Sequence, residues 1–207
     1  MKLYSAYYQG EDPFKIFDSV IDIANPNKLK PDGALILWGG EDIATSYYNE
    51  MPTRARAYVE PSARDRIEAA MFNTAVQLGM PIIGICRGAQ LGCALSGGSL
   101  FQHIDGGHHS NHDVETKDGH VFKTSSCHHQ ALDLTPLTED EDFELLAWDK
   151  DRVTPVYKEY DKFEVTIPEV VHFKKTKFFA IQGHPEWMNP HSPFVKWCAD
   201  QIKERIL

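Results

Sequence analysis

The segment Pro81-Ile82-Ile83-Gly84-Ile85-Cys86-Arg87-Gly88-Ala89-Gln90 constrains this chain most. The apolar run 81–85 is too short for a helix, is bounded by Pro and Gly, and reads as a strand buried on both faces. Arg87 to Leu95 reads as a helix. A strand that runs straight into a helix is half of a βαβ unit, which points to an α/β architecture with a mainly parallel sheet. Cys86 stands at the turn between them. Such a turn lifts its side chain toward the crevice beyond the strand ends, where open α/β sheets take their ligands. Gly84 and Gly88 flank the cysteine and suit a tight turn with close backbone approach. The helix N-terminus is expected to favour thiolate over thiol, and its N–H groups are suited to holding an oxyanion. Spacing alone leaves a nucleophile and a small buried structural thiol as equal readings of Cys86.

The remaining pattern extends the α/β reading. Leu3–Tyr8, Ala34–Trp38 and Phe178–Gln182 read as strands. Phe14–Ala24 has helical spacing. Ser62–Leu78 is a helix with Ser62 as N-cap, Gly79 as C-terminal stop, and Ile67, Ala70, Met71, Thr74, Ala75 and Leu78 on its apolar face. Asp113–Lys117, Val121–Ser125, Phe143–Trp148 and Val153–Tyr157 read as shorter strands, some antiparallel, and Pro193–Ile206 as an amphipathic helix. With 207 residues, 42% of them hydrophobic, and no repeat or linker-like stretch, residues 1–207 are read as a single domain.

The net charge of −9 disfavours nucleic acid and anionic membrane as partners, because both require clustered Lys and Arg. Lys174, Lys175 and Lys177 are too few to form such a surface, and the acidic run Thr138–Asp142 reads as a solvated loop or helix start. No run approaches the ~20 apolar residues of a membrane span. Of the four cysteines, none forms a C-x-x-C pair; Cys93 and Cys198 fit a core. The first residues lack a signal-peptide pattern, so a reducing, cytoplasmic setting is expected.

A thiol nucleophile needs a base, and the base an orienting group. Ala180-Ile181-Gln182-Gly183-His184-Pro185-Glu186-Trp187 offers both: His184 follows an apolar strand, and Glu186 stands two residues on, on the same side of an extended chain. Cys127, beside His128 and His129, is a weaker rival nucleophile. His103, His108, His109 and His112, with Asp105 and Asp113, crowd one segment without a rigid ligand spacing. They are read as a polar loop in preference to a metal site.

These segments together resemble the class I glutamine amidotransferase superfamily, nearest its branch of γ-glutamyl hydrolases of the γ-glutamyl-γ-aminobutyrate hydrolase type. The resemblance lies in five ordered blocks. They are Leu37–Asp42 with Tyr47–Glu50; Arg64, Asp65 and Glu68; Gly84–Gln90 with Ala94–Ile104; Cys127–Leu132; and Gly183–Trp187. It implies a flavodoxin-like α/β fold, mainly parallel with flanking helices and a small additional β region. It implies a catalytic triad of Cys86 as nucleophile, His184 as base and Glu186 as its orienting group. The backbone N–H groups of Gly39, Gly40 and Arg87 would form the oxyanion hole, and Gln90, His128 and His129 would contact substrate. The implied activity is hydrolysis of the γ-glutamyl amide bond of a small conjugate or of glutamine, through a thioester and without metal or other cofactor. The alternative is a glutaminase subunit that delivers ammonia to a separate synthetase. A homodimer is compatible with either. Trp38 and Gly183 replace the branch's usual proline and aromatic residue; both are expected to border the site and to bear on substrate choice.

Overall fold

The computed structural model of the chain describes residues 1–7, 10–105, 108–158 and 160–207, with backbone alone at 151 and 152. Its strands are β1 (Lys2–Ser5), β2 (Ser19–Asp22), β3 (Gly33–Leu37), β4 (Ile82–Ile85), β5 (Ser99–Phe101), β6 (His103–Ile104), β7 (His112–Thr116), β8 (Val121–Thr124), β9 (Ala131–Asp133), β10 (Phe143–Lys158), β11 (Asp161–Phe173) and β12 (Phe178–Ile181). The α-helices are α1 (Ala63–Gln77), α2 (Arg87–Leu95) and α3 (Pro193–Arg205). The main sheet runs β2-β1-β3-β4-β12-β11-β10-β7-β8, with β6 also on β10; β5 and β9 form a separate pair.

The sheet has two halves. From β2 to β12 every pairing is parallel. The strand order of that half is the doubly wound order in which the sheet opens a crevice at its carboxyl edge. From β12 onward every pairing is antiparallel, built around the long β10–β11 hairpin. The α/β expectation therefore describes the parallel half, and the additional β region is chiefly this antiparallel extension. β3, β4 and β12 are buried at every position, as continuous apolar strands covered on both faces should be.

Two local readings of the sequence are corrected. Phe14–Ala24 is not a helix: the Asp12 carboxylate accepts N–H bonds from Phe14 (2.9 Å), Ile16 (2.6 Å) and Phe17 (2.9 Å), Lys15 has φ 55°, and the chain then enters β2. A carboxylate that gathers these donors offers the backbone a better-satisfied turn than a helix would. Phe143–Trp148 and Val153–Tyr157 belong to one strand, β10. Of the Leu3–Tyr8 strand, Tyr8 lies outside the described residues.

Helix α1 begins at the expected cap. Ser62 Oγ accepts from the Asp65 N–H (3.0 Å), and Asp65 Oδ2 accepts from the Ser62 N–H (2.9 Å), a reciprocal capping box. Gly79 follows at φ 66°. The buried face is rotated from the expected one: Asp65, Glu68, Ala69, Met71, Phe72 and Ala75 point inward, while Leu78 is exposed. Phe72 meets Phe178 edge-on, with ring centroids 5.5 Å apart. The two inward carboxylates have a partner that periodicity does not reveal, the fully buried Arg87.

Candidate active site

Cys86 links β4 to α2 with φ 50° and ψ −108°, a strained conformation for a residue with a side chain. The turn is held by the Cys86 N–H on the Ile181 carbonyl (2.8 Å) and by the Gln90 N–H on the Cys86 carbonyl (3.0 Å). The flanking glycines have no room for a side chain. A β-carbon at Gly84 would lie 2.6 Å from the Gly88 carbonyl oxygen, and one at Gly88 would overlap the Leu37 carbonyl. Gly88→Ala is therefore expected to push α2 off β3, at a cost of at least about 1–3 kcal/mol in stability. Thermal unfolding would register this as a lowered Tm.

His184 arrives from the neighbouring parallel strand. Ile181 of β12 is in register with Ile85 of β4, so both chains leave the sheet at the same edge. Where they leave it, Gly39 lies between the two side chains: a β-carbon there would sit 2.9 Å from His184 Cε1 and 3.6 Å from Cys86 Cβ. The expected convergence of Cys86, His184 and the glycine loop thus occurs in three dimensions.

His184 Nδ1 is 2.7 Å from Glu186 Oε1. The carboxylate only accepts, so Nδ1 carries the proton and Nε2 presents its lone pair. That nitrogen is buried and has no hydrogen-bond partner among the described residues. The expected extended His-Pro-Glu is in fact a 3-10 turn over Pro185–Trp187, and the contact forms across it. The same turn brings Trp187 flat onto His184, with centroids 3.6 Å apart and planes 2° apart. Trp187 was not among the site residues anticipated from sequence. Its place three residues after the histidine, in a turn, is the signal that marks it.

The thiol does not behave as the helix N-terminus alone would dictate. Burial pushes Cys86 up to about 12, the Arg87 N–H draws it down by less, and the nearby Glu186, Cys127 and Asp42 raise it further. At neutral pH Cys86 is held as a thiol, because desolvation penalises the thiolate more than one N–H stabilises it. Cys127 is exposed, whereas Cys93 and Cys198 are buried in the core.

Behind the thiol stands a buried ionic network. The Arg87 guanidinium pairs with Asp65 and Glu68. Arg64 Nε meets Glu68 at 3.1 Å, and Arg64 Nη2 donates to the carbonyls of Trp38 (3.2 Å) and Gly39 (3.0 Å). A trans peptide sets its N–H opposite its carbonyl. Arg64, by holding those two carbonyls, aims the N–H groups of Gly39 and Gly40 away from itself. Gly40 has φ 156°, and a side chain there would strike Arg64.

The other anticipated residues fall differently. Gln90 is buried on the first turn of α2. His129 Nε2 is 2.9 Å from Asp42 Oδ1, and Asp42 is close enough to act on the Cys86 thiol. His128 turns elsewhere: its Nδ1 is 2.8 Å from the Gln130 carbonyl and its Nε2 faces Glu169. Trp38 is fully buried and donates to Ser5 Oγ (2.8 Å), so its ring is packed into the core cluster that also contains Cys86. A β-carbon at Gly183 would lie 2.5 Å from Thr124 Oγ1 and 2.9 Å from the Ser125 carbonyl. The space for an aromatic residue there is occupied by the end of β8 and the loop after it.

Comparison with known proteins identifies the family and the fold. Residues 29–186 match the family model described as Peptidase C26. Rv2859c of Mycobacterium tuberculosis is 33% identical over 119 residues, which is 48% of this chain and 38% of that protein. The glutamine amidotransferase-like protein YvdE of Lactococcus lactis is 27% identical over 184 residues, 76% of this chain and 68% of that protein. The chain thus spans little more than a third of the first relative's length and about two thirds of the second's. A glutamine amidotransferase from Thermotoga maritima shares the fold with a TM-score of 0.54 at 13% identity, over 98% of this chain and 91% of that one. Among the described residues no helix is long and apolar enough to cross a membrane. With the family model covering most of the sequence, the chain belongs to the Peptidase C26 family, and its fold is shared with the Thermotoga glutamine amidotransferase.

Proposed function

We propose that this protein is a cysteine-dependent hydrolase of γ-glutamyl amide bonds in small conjugates, with Cys86, His184 and Glu186 as its catalytic triad. The reading is carried by one observation. Cys86 and His184 leave adjacent parallel strands at the same sheet edge, and Glu186 fixes the imidazole tautomer whose free nitrogen can act as a base.

In this mechanism the buried thiol is deprotonated only as it attacks. His184 Nε2 accepts the proton while Sγ bonds to the γ-carbonyl carbon. The imidazolium is stabilised by Glu186 and by the stacked face of Trp187. The oxyanion would be received by the N–H groups of Gly39, Gly40 and Arg87. The Arg87 N–H already faces the sulfur, and Arg64 sets the orientation of the glycine loop. His184 then gives its proton to the leaving amine, and a water activated by the same nitrogen hydrolyses the thioester to release glutamate. Gln90 and His129 are proposed to contact the glutamyl group. His128 is set further back by its contacts with Gln130 and Glu169.

A substrate panel with the isolated chain tests the reading. Turnover of γ-glutamyl-amine conjugates well above that of free glutamine is the expected result. Weak turnover of every conjugate, with glutaminase activity that appears only beside a separate synthetase, would replace it with the ammonia-donating alternative.

A further inference from the structure

A second constellation of histidines lies apart from the triad, and its hydrogen-bond bookkeeping does not close. His108 Nδ1, His112 Nε2 and His128 Nε2 all converge on one oxygen, Glu169 Oε1, at 3.3, 3.1 and 3.7 Å. His108, His128 and Glu169 are almost fully buried, and His112 sits at the rim. The opposite nitrogen of each ring also faces an acceptor. His108 Nε2 is 3.2 Å from Asp149 Oδ2, His112 Nδ1 is 3.4 Å from the Ser110 carbonyl, and His128 Nδ1 is 2.8 Å from the Gln130 carbonyl.

A neutral imidazole has one N–H to donate. His112 Nε2 is placed to donate inward to Glu169 Oε1, but His108 and His128, donating outward, each turn a lone pair on the same carboxylate, acceptor against acceptor, inside the protein. The contacts of both His108 nitrogens and of His128 Nε2 indeed lack hydrogen-bond geometry. Outward N–H donation to a carbonyl or carboxylate is the arrangement that orients histidines bound to a metal. The spacing would have to contract by at most about 1.5 Å to hold an ion. Tetrahedral zinc with bonds of about 2.0–2.1 Å keeps its ligand atoms about 3.3 Å apart. His108, His112 and Glu169 offer ligand atoms that lie within 4.8 Å of one another.

We propose that His108, His112 and Glu169, completed by His128, bind one divalent transition-metal ion of the zinc class, in a structural role separate from the Cys86 chemistry. This departs from the metal-free expectation drawn from the sequence. Only two of the crowded histidines take part: His103 turns to Asp105 (3.5 Å), and Asp113 pairs with Lys123 (3.1 Å). The site's position explains what it would do. The His108 carbonyl accepts from the His128 N–H (2.9 Å), and the Ser125 carbonyl accepts from the His184 N–H (2.8 Å). The Glu169 carbonyl accepts from the Gln182 N–H (2.8 Å). An ion here would clamp β7, the 125–130 loop and β11 beneath the segment that carries the catalytic base.

The test uses untagged full-length protein, with zinc added and excess removed, and metal measured by elemental analysis. About one equivalent of zinc per chain is expected, with a Tm that rises with zinc and falls with a chelator. His112→Gln and His128→Gln, each checked for folding by circular dichroism, should bind at least about 100-fold more weakly, since even orienting partners of metal ligands contribute 10–100-fold. Cys86→Ser should keep its zinc. If the variants do not fold, Co²⁺ added to the wild-type protein should give tetrahedral d–d bands without thiolate charge transfer. Absence of saturable binding, with a Tm indifferent to zinc and chelator, would establish a bare histidine–carboxylate network in which His108 is protonated. Loss of the ion in Cys86→Ser, or a thiolate signature with Co²⁺, would place it at the thiol and overturn the proposal.

Discussion

Cys86→Ala is expected to lower turnover of γ-glutamyl substrates by on the order of 10⁶-fold, the scale of removing a nucleophile from a triad that acts as a unit. The fold should survive, because the side chain lost is small and the turn is held by backbone hydrogen bonds. Glu186→Gln should cost less, on the order of 10⁴-fold, by releasing the imidazole tautomer. Cys127→Ala should retain activity, and inactivity there would move the nucleophile to the exposed thiol. Alkylation followed by mass spectrometry checks the resting state. Cys86, pushed up to about 12, is protonated at neutral pH, and its thiolate fraction grows tenfold with each pH unit below that value. Without substrate, the exposed Cys127 should therefore react first at pH 7, with Cys86 reacting appreciably only under strongly alkaline conditions. Rapid alkylation of Cys86 at pH 7 would establish a preformed thiolate and exclude the neutral-thiol mechanism.

Arg87→Met should destabilise the protein by about 3–5 kcal/mol, the usual result of removing one partner from a buried ion pair. Asp65 and Glu68 would be left buried, with Arg64 Nε still 3.1 Å from Glu68. For a chain of this size the corresponding fall in Tm is roughly 10 °C. The triple variant Asp65→Asn, Glu68→Met, Arg87→Met should recover much of the loss, since it removes the buried charges together and leaves Arg64 still donating to the carbonyls of Trp38 and Gly39. Equal destabilisation of the single and triple variants would mean that side-chain volume, and not uncompensated charge, holds the turn. The network also joins the cap of α1 to the Cys86 turn. Asp65 caps α1 through Ser62 and at the same time pins the residue that follows Cys86.

Much of this was legible in the chain. The cap at Ser62, the stop at Gly79 and the buried strands β3, β4 and β12 are local effects of propensity and patterning, and they appear where the sequence puts them. The turn at Cys86 was legible for the same reason, since Gly84 and Gly88 mark a close approach. Other features were not. The segment after Asp12 carries a helical period, yet one carboxylate and the edge of β1 determine its path. The inward face of α1 holds two acids whose partner lies about twenty residues away in sequence. Trp38 and Gly183 looked like specificity positions because they depart from a family pattern. They turn out to answer to Ser5 and to Thr124.

The crowded histidines make the division clearest. Sequence placed His103, His108, His109 and His112 within ten residues and offered no ligand pattern, because a metal-like set is defined by where lone pairs point. Only the tertiary structure brought Glu169, His128 and Asp149 from three other segments to the same point and separated His103 from them. By itself the sequence determined the strand-to-helix turn, its thiol and the His-Pro-Glu pair, since each is written in residues adjacent along the chain. The register of β12 beside β4 decided that Cys86 and His184 leave the sheet at the same edge, and burial decided that the thiol rests neutral. Both are effects of packing between segments distant in sequence, which no local pattern encodes.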